Sequence, residues 1–283
     1  MKLNLMNSNL SELPKLDFPP PAYTTANIYN NNFKDFPLDL LYMKNLKVLN
    51  ISANKISYIP DDINKLSKLI NIDFGHNKIE QLPLSFFELK NLKDYVYLHN
   101  NKFTHIPDLF NVLPNIRYLN LSSNYLKELP NSIGTLLDLV ELRVMDNHLQ
   151  TLPTSLAQLH SLRELHLSKN EITNFKYISS DWSQLRIINL ENNYISKLKL
   201  DFSSLKNLQR LNLRNNNLSS IPKSIYLANS LVEIDLRSNS LVELPETLLY
   251  LNNLQRLDLR WNHDLIIPDW INCLKRKGCI VYL

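Results

Sequence analysis

Hydrophobic positions recur in a fixed frame along almost the whole chain. The stretches at 46–60 (LKVLNISANKISYIP), 139–153 (LVELRVMDNHLQTLP) and 231–245 (LVEIDLRSNSLVELP) all fit LxxLxLxxNxLxxLP. In LxL the apolar residues alternate with polar ones, which is the period of a strand with one buried face. The Leu-Pro pair then ends the strand direction, and the next segment is expected to return along the outside in a loose helical or extended form.

The frame repeats every 23 residues, with a single step of 24. Its asparagines are Asn31, Asn54, Asn77, Asn101, Asn124, Asn147, Asn170, Asn193, Asn216, Asn239 and Asn262. One unit cannot bury its apolar face alone, so neighbouring units are expected to stack and to pair their strands in parallel. Each asparagine lies where the chain leaves a strand, and its amide is expected to satisfy buried backbone groups.

Three departures from the frame predict local irregularities. One extra residue falls between 92 and 101, which predicts a bulge or a wider turn entering that repeat. The Leu-Pro pair is absent at 175–176 and at 198–199. Because proline fixes one backbone angle, its loss predicts a different outer path that is more helical or more mobile; ordinary drift of the repeat is the alternative.

The two ends of the chain differ from the regular units. Residues 1–22 fit the frame as a truncated first repeat, with Ser8 in place of the asparagine. No amphipathic segment precedes it, so this edge is expected either to stay partly exposed or to meet another copy or protein. Regular repeats follow over 23–268. Residues 269–283 predict a cap made of a short amphipathic helix, a turn at Gly278 and an edge strand.

The frame resembles the leucine-rich repeat family in its 23-residue LxxLxLxxNxLxxLP form, found in intracellular Ras-binding scaffolds and in many bacterial repeat proteins. The resemblance covers essentially the whole chain and implies one domain over 1–283. The implied fold is an α/β leucine-rich repeat solenoid of about 12 repeats. Such a solenoid is a curved right-handed coil with a parallel β-sheet on its concave face and irregular or short helical turns on its convex face.

Composition and charge exclude several function classes. The chain has only 3 glycines, and Gly75, Gly134 and Gly278 are too scattered for a phosphate-binding or dinucleotide-binding loop. The net charge of +4 is modest, which argues against a nucleic-acid partner. The opening residues lack a secretory leader, and no window of about 18 residues is apolar enough to span a membrane. We therefore expect a cytoplasmic protein with no membrane association and no cofactor.

Metal and nucleophile motifs are also missing. His76 and His99 lie one repeat apart and near Asp73, a set that offers three metal ligands, but no HExxH or paired-cysteine spacing accompanies it. Cys273 and Cys279 lack a CxxC spacing. The sequence therefore predicts no metal site, no catalytic residue and no enzymatic activity.

Residues that flank the strand leucines point to the open side of the predicted sheet, so the concave surface can be read from the sequence. The candidate partner-binding residues on it are Tyr95, Tyr97, His99, Tyr118, Arg143, Met145, His166, Arg214, Arg237, Arg260 and Trp261. Bundled tyrosine and arginine are typical of binding hot spots. Three alternatives stay open: the tyrosines pack on each other, the arginines form a salt-bridge lattice with Asp235 and Asp258, and Trp261 packs on the cap.

Together, the repeat frame and the missing chemistry predict a non-enzymatic protein–protein interaction scaffold that binds a protein partner on its concave face, as a monomer or a weak homo-oligomer. One alternative is a structural protein that self-associates through its first repeat. The resemblance also implies the further alternative of a regulatory subunit in a phosphatase or small-GTPase pathway.

Overall fold

The structure is a computed structural model that describes residues 1–177 and 180–283. The chain divides into two compact units, Met1–Leu139 and Val140–Leu283. Each unit is built from stacked repeats with parallel strands on one side and short helical turns on the other. The organisation as a single domain over 1–283 stays a prediction.

In Met1–Leu139 the described residues form six three-residue strands that pair in parallel in sequence order. They are β1 Lys2–Asn4, β2 Thr25–Asn27, β3 Val48–Asn50, β4 Asn71–Asp73, β5 Tyr95–Tyr97 and β6 Tyr118–Asn120. The middle residue of each strand is buried and the two outer residues are at least partly exposed, as the alternation of apolar and polar positions predicts.

Val140–Leu283 contains nine strands among its described residues. They are β7 Glu141–Arg143, β8 Glu164–His166, β9 Asn174–Tyr177, β10 Ile187–Asn189, β11 Lys197–Leu200, β12 Arg210–Asn212, β13 Glu233–Asp235, β14 Arg256–Asp258 and β15 Ile280–Tyr282. Seven of these pair in parallel in the order β7, β8, β10, β12, β13, β14, β15. The remaining two, β9 and β11, pair with each other on a second, smaller sheet.

The return segments on the outer side are mostly 3₁₀ helices, which confirms the loose helical path expected after Leu-Pro. They span Pro20–Ala22, Leu38–Tyr42, Asp61–Leu66, Leu84–Glu88, Phe110–Val112, Asn131–Thr135, Thr154–Gln158, Lys223–Leu227 and Glu246–Tyr250. Most begin directly after the proline of the frame, whose carbonyl oxygen accepts the first i+3 bond, as from Ile63 N to Pro60 O at 3.0 Å.

The C-terminal cap has the three predicted parts, which are a short helix, a turn and an edge strand. A short α-helix, α1 Ile271–Arg276, buries Ile271 and Leu274. Gly278 follows with a φ of 92°, a left-handed backbone angle that favours glycine. Strand β15 then pairs in parallel with β14.

Where Leu-Pro is missing, the expectation of a more helical path is wrong. Residues 174–177 and 197–200 are extended and pair in parallel as β9 and β11. A proline has no N–H to donate to such a ladder, so its absence allows both segments to pair. The buried Trp182 reinforces this outer layer by donating its indole N–H to Leu156 O at 2.9 Å.

The extra residue before Asn101 loosens strand pairing as predicted. The register of β4 and β5 includes Ile72 with Val96 and Asp73 with Tyr97. Among the described residues, Asn71 has no pairing partner on β5. Instead, its side-chain Oδ1 accepts a hydrogen bond from Tyr95 N at 3.4 Å. The wider turn therefore enters at the first position of β5.

The structural role of the frame asparagines is confirmed, as Asn216 illustrates. Its Nδ2 donates to the carbonyl oxygens of Leu190 and Leu213, both at 3.0 Å. Its Oδ1 accepts from Ile195 N at 2.9 Å. The same bonding set recurs at Asn54, Asn170, Asn193 and Asn239. One amide thus ties its own strand exit to the preceding repeat.

Replacing Asn216 by Leu is expected to lower the free energy of unfolding by more than about 2 kcal/mol, because several buried backbone groups lose their partner at once. Chemical denaturation followed by circular dichroism measures the loss. Asn217→Leu is the matched control, since Asn217 is the next residue and its side chain is exposed. Equal stability of the two variants would contradict the account of the asparagine bonds.

Candidate functional site

We call every strand except β9 and β11 a main strand. Each main strand directs the side chains of its first and third residues away from the core. The residue two positions beyond the strand lies beside these two side chains. We call the surface they form the strand face, and we treat it separately in each unit. Because the middle strand residues are buried, the strand face is free to vary in chemistry.

In Met1–Leu139 the strand face carries an aromatic cluster of Tyr95, Tyr97, His99 and Tyr118. The rings of Tyr95 and Tyr97 stack with centroids 4.9 Å apart, and His99 meets Tyr97 edge-on at 6.1 Å. Tyr118 stands opposite Tyr95 in the strand register. The structure thus brings these four predicted residues together, and the predicted packing of tyrosines on each other is present as well.

His99 occupies a tight position that Gly75 makes possible. A Cβ on residue 75 would lie 2.3 Å from the His99 ring, so only glycine leaves the ring enough room. The His76 ring approaches edge-on at 4.8 Å, and His99 Nδ1 is buried without a hydrogen-bond partner among the described residues. Burial lowers the pKa of His99, and the neighbouring charge of Asp73 opposes this shift only in part.

The first strands of Val140–Leu283 present two acid–base pairs. Glu141 binds Arg143 on β7, and Glu164 Oε2 lies 2.9 Å from His166 Nε2 on β8. Met145 follows β7 by two residues. Glu141, Glu164 and His166 together offer three metal-ligand atoms within 4.8 Å of one another, but the contacts with Arg143 and His166 already engage both carboxylates.

Asp73, His76 and His99, which the sequence offered as a conceivable ligand set, do not form such a group. Within 1–177 and 180–283, the set of Glu141, Glu164 and His166 is the one group of three or more close ligand residues.

Arg237, Arg256 and Arg260 on the strand face belong to an ion-pair lattice centred on Asp258. This carboxylate has 0 % of its surface exposed. It receives Arg260 Nη2 at 2.7 Å, Arg256 Nη2 at 3.3 Å and Arg237 Nε at 3.5 Å. Arg237 also binds Asp235, with Nε 2.9 Å from Oδ1. The lattice alternative left open by the sequence is therefore what the structure shows for Arg237 and Arg260.

The charges of the lattice stabilise one another. Burial alone raises the pKa of Asp258, but the hydrogen bonds from Arg260 and Arg256 and the charge of Arg237 outweigh it, so the pKa lies below its usual range. The side-chain hydrogen bond to Asp235 raises the pKa of Arg237. Asp258 therefore stays ionised although it has no contact with water.

The cap does not bury Trp261, since 52 % of this residue is exposed. The guanidinium of Arg260 lies 5.4 Å from its ring centroid and 4.9 Å from that of Tyr282. Arg256 lies 5.3 Å from the same Tyr282 ring. Tyr282 was not among the predicted residues, although a cap strand in register with β14 places it opposite Asp258.

A depression interrupts the strand face over β10. It has a volume of about 250 Å³ and is lined by His166, Ile187, Ile188, Asn189, Arg210, Leu211, Asn212, Glu233 and Asp235. Ile187 forms part of it between Glu164 on β8 and Arg210 on β12. The sequence signal was an apolar residue at a strand position that its two neighbouring repeats fill with charged residues.

Arg214, two residues beyond β12, borders this region. Its Nη1 lies 3.5 Å from Glu191 Oε1, and Asn212 Nδ2 donates to Glu191 Oε2 at 3.2 Å. Arg143, His166, Arg214, Arg237, Arg260 and Trp261 thus all lie on or beside the strand face of Val140–Leu283. Whether any of these residues contacts a partner stays a prediction.

Comparison with known protein families identifies the family of the chain. A family model described as leucine rich repeat matches residues 71–126, 138–195, 183–241 and 206–263, and a second one matches 45–66. The chain belongs to the leucine-rich repeat family. The predicted α/β leucine-rich repeat solenoid is thereby confirmed as the fold class.

Solved leucine-rich repeat structures resemble the chain along most of its length. A leucine-rich repeat protein of Leptospira interrogans shares 26% identity with a TM-score of 0.69, covering 99% of this chain and 83% of that one. The functional domain of InlJ from Listeria monocytogenes shares 18% identity with a TM-score of 0.71, covering 88% and 51%. A plant peptide hormone receptor, RGFR1 in complex with RGF2, shares 23% with a TM-score of 0.64, covering 92% and 53%.

The chain therefore spans about half the length of the InlJ domain and of the plant receptor, and these two likenesses show the fold alone. Among curated protein sequences, none matches it significantly. No helix in the described part of this leucine-rich repeat chain is both long enough and apolar enough to cross a bilayer.

Replacing Asp258 by Asn is expected to lower the free energy of unfolding by about 3 kcal/mol, because three arginines lose their shared buried counter-charge. The folded pKa of Asp258 is depressed, so its contribution is present above the unfolded pKa of about 3.9 and is lost as the pH falls through the folded value. Urea titrations of both proteins between pH 3 and pH 7 measure this, and the stability gap is expected to narrow as the pH falls below about 3.9.

The exposed Asp264 supplies the control, and Asp264→Asn is expected to change stability by less than about 0.5 kcal/mol. A gap between wild type and Asp258→Asn that stays constant down to pH 3 would contradict the role given to the Asp258 charge.

Acidification is expected to weaken the fold through His99 as well. Its folded pKa lies below the unfolded one, so the unfolded chain binds more protons and stability falls as the pH drops below about 6.5. Urea midpoints between pH 7.5 and pH 5.5 are expected to depend less on pH in His99→Gln than in wild type. His105→Gln, which changes an exposed histidine, is expected to keep the wild-type dependence, and a flattened dependence there would contradict the assignment to His99.

Proposed function

We propose that this protein is a non-enzymatic interaction module that binds a protein partner through its strand face. The leucine-rich repeat fold is a general scaffold for protein interactions, since stacked repeats create long binding surfaces from small, regular units. The family alone does not specify the contact surface, and we place it on the strand face.

The observation that carries the proposal is the alternation of burial along strands β5 to β8. Each of these strands hides its middle residue in the core and presents the two outer ones, so aromatic and charged side chains stand in regular rows. In β13 and β14 the third residue, Asp235 or Asp258, is itself buried, and the arginines that bind it form the surface there. The stacked Tyr95 and Tyr97 pair and the half-exposed Trp261 are of the types enriched in binding hot spots. The strand ladder holds the backbones of Tyr95 and Tyr97, which reduces the ordering that binding requires.

The chemistry of the strand face supports binding rather than catalysis. The Asp258 carboxylate is buried and shared by three arginines, which leaves no free acid there for proton transfer. Burial raises the pKa of the Cys279 thiol, which is the opposite of what activates a nucleophile. We infer a module without catalytic residue, metal or cofactor.

The same proposal extends to the setting of the protein. The plant receptor with a similar fold is described in complex with RGF2, and a protein or peptide partner is consistent with this use of the fold. We infer a cytoplasmic protein that does not bind nucleic acid or membranes. Its oligomeric state, monomer or weak homo-oligomer, and its assignment to a small-GTPase or phosphatase pathway stay predictions.

The test combines partner capture with matched aromatic substitutions. Immobilised wild type retains proteins from an extract of the source cells, mass spectrometry identifies them, and calorimetry with the purified partner gives the Kd. Tyr97→Ala and Trp261→Ala are each made on the strand face of a different unit. At least one is expected to raise the Kd by about tenfold or more, because truncation of an aromatic anchor removes a large buried contact.

The control is Tyr250→Ala, which removes a ring that is 65 % exposed on the outer 3₁₀ helix Glu246–Tyr250. Its Kd is expected to match that of wild type. A Kd that rises only in Tyr250→Ala would move the contact surface to the outer side, and an extract in which nothing is retained would count against the binding module itself.

A further inference from the structure

The depression over β10 has the size and lining of a pocket for one side chain. Its volume of about 250 Å³ is smaller than the roughly 300–1,000 Å³ of pockets that hold whole small molecules. Ile187 is half-buried there, and the short amides of Asn189 and Asn212 stand beside it. A branched or aromatic apolar side chain placed there would cover Ile187 and expel water from it.

Charges of opposite sign stand on the two sides of this pocket. On the β7 and β8 side of the pocket, the strand face carries two carboxylates and one guanidinium. Arg143 binds Glu141, while among the described residues Glu164 pairs with the imidazole of His166. Of the two carboxylates, Glu141 is the one paired with a permanently charged guanidinium, so the surplus negative charge on this side lies at Glu164.

On the other side, the strand face from β10 to β14 carries five arginines and four carboxylates. The arginines are Arg210, Arg214, Arg237, Arg256 and Arg260, and the carboxylates are Glu191, Glu233, Asp235 and Asp258. Arg210 has the weakest contact of the five, with its Nε 3.9 Å from Glu233 Oε2, and 66 % of its side chain is exposed. It therefore carries the surplus positive charge beside the pocket.

The spacing of these three features fits an extended chain. Glu164 and Arg210 are the direct strand neighbours of Ile187, so about 10 Å separates them across two strand spacings. In an extended segment, side chains i−2, i and i+2 face the same way and span about 13 Å. Long flanking side chains cover the remaining difference.

We propose that the depression over β10 binds an extended protein segment in which an apolar residue fills the pocket over Ile187, with a Lys or Arg two positions away reaching Glu164 and an Asp or Glu on the other side reaching Arg210. The proposal rests on the proposed function and specifies its partner. Asn189 supports it further, because its Oδ1 accepts from Glu191 N at 3.1 Å while its Nδ2, which has no acceptor among the described residues, can donate to a backbone carbonyl of the segment.

The probe is a random library of twelve-residue peptides displayed on phage and selected on the immobilised full-length protein. The expected enrichment is a basic residue, an apolar residue and an acidic residue at alternate positions, in either chain direction. The most enriched sequence is synthesised with a fluorescent label, and its Kd is measured by anisotropy. Enrichment of sequences without this order of charges, or no enrichment at all, would overturn the proposal.

Two sets of variants locate the bound peptide. Ile187→Asn is expected to raise the Kd at least about tenfold, because the apolar contact is lost. Ile280→Asn makes the same change on β15, away from the pocket, and is expected to leave the Kd unchanged. Circular dichroism confirms that both variants fold. Equal affinity of wild type and Ile187→Asn would place the peptide elsewhere and overturn the pocket assignment.

Charge exchange tests the direction of the segment. Glu164→Lys is expected to weaken the peptide at least about threefold and to prefer a peptide whose basic residue is changed to Glu; Arg210→Glu is expected to prefer one whose acidic residue is changed to Lys. Lys206→Glu, an exposed charge outside the pocket, is the control and is expected to show no preference. Absence of both rescues would overturn the charge assignment.

These outcomes are separable from those of the partner-capture experiment. A captured protein whose Kd responds to Tyr97→Ala or Trp261→Ala but not to Ile187→Asn would keep the binding module and remove the β10 pocket as its anchor.

Discussion

One side-chain amide per repeat satisfies the backbone where each strand ends, and the rest of the architecture depends on this interaction. A chain that leaves a strand inside a stack buries carbonyl and N–H groups that have no ladder partner. The amide of Asn216 meets such groups in its own turn and in the preceding repeat. An apolar residue of the same size would leave each of these backbone groups without a hydrogen bond, at a cost of about 1–3 kcal/mol per group.

The amide also offsets a backbone cost in the same turn. The residue before each frame asparagine has a left-handed φ between 51° and 61°, although none of these residues is glycine. That conformation costs roughly 1–2 kcal/mol for an L-residue. Because the asparagine bonds outweigh it, residues as different as His76, Lys169 and Trp261 are tolerated there. The turn is thus fixed by a polar contact and leaves its exposed side chain free, which is how Trp261 can stand at the rim of the strand face.

The sequence predicted the repeating features and the irregularity before Asn101, but not the structure that replaces a missing Leu-Pro pair. The strand positions, the asparagine contacts and the capping helix follow from local pattern, because each unit contacts mainly its neighbours. Strands β9 and β11 were missed because an absent proline removes a constraint without saying what replaces it; the pairing of 174–177 with 197–200 is a contact between two repeats. The aromatic and arginine positions were found, since they lie at fixed places in the frame. The burial of Asp258 and the depression over Ile187 were not, since both depend on the lengths of side chains in three adjacent repeats.

The ion-pair lattice shows why a row of arginines is not by itself a binding surface. Arg237 and Arg260 are held by Asp235 and Asp258, so a partner that recruited them would have to replace short, charge-assisted bonds and leave a buried carboxylate unpaired. Arg210, with one contact at 3.9 Å, carries no such penalty. Affinity is therefore to be expected where the lattice is incomplete, beside β10.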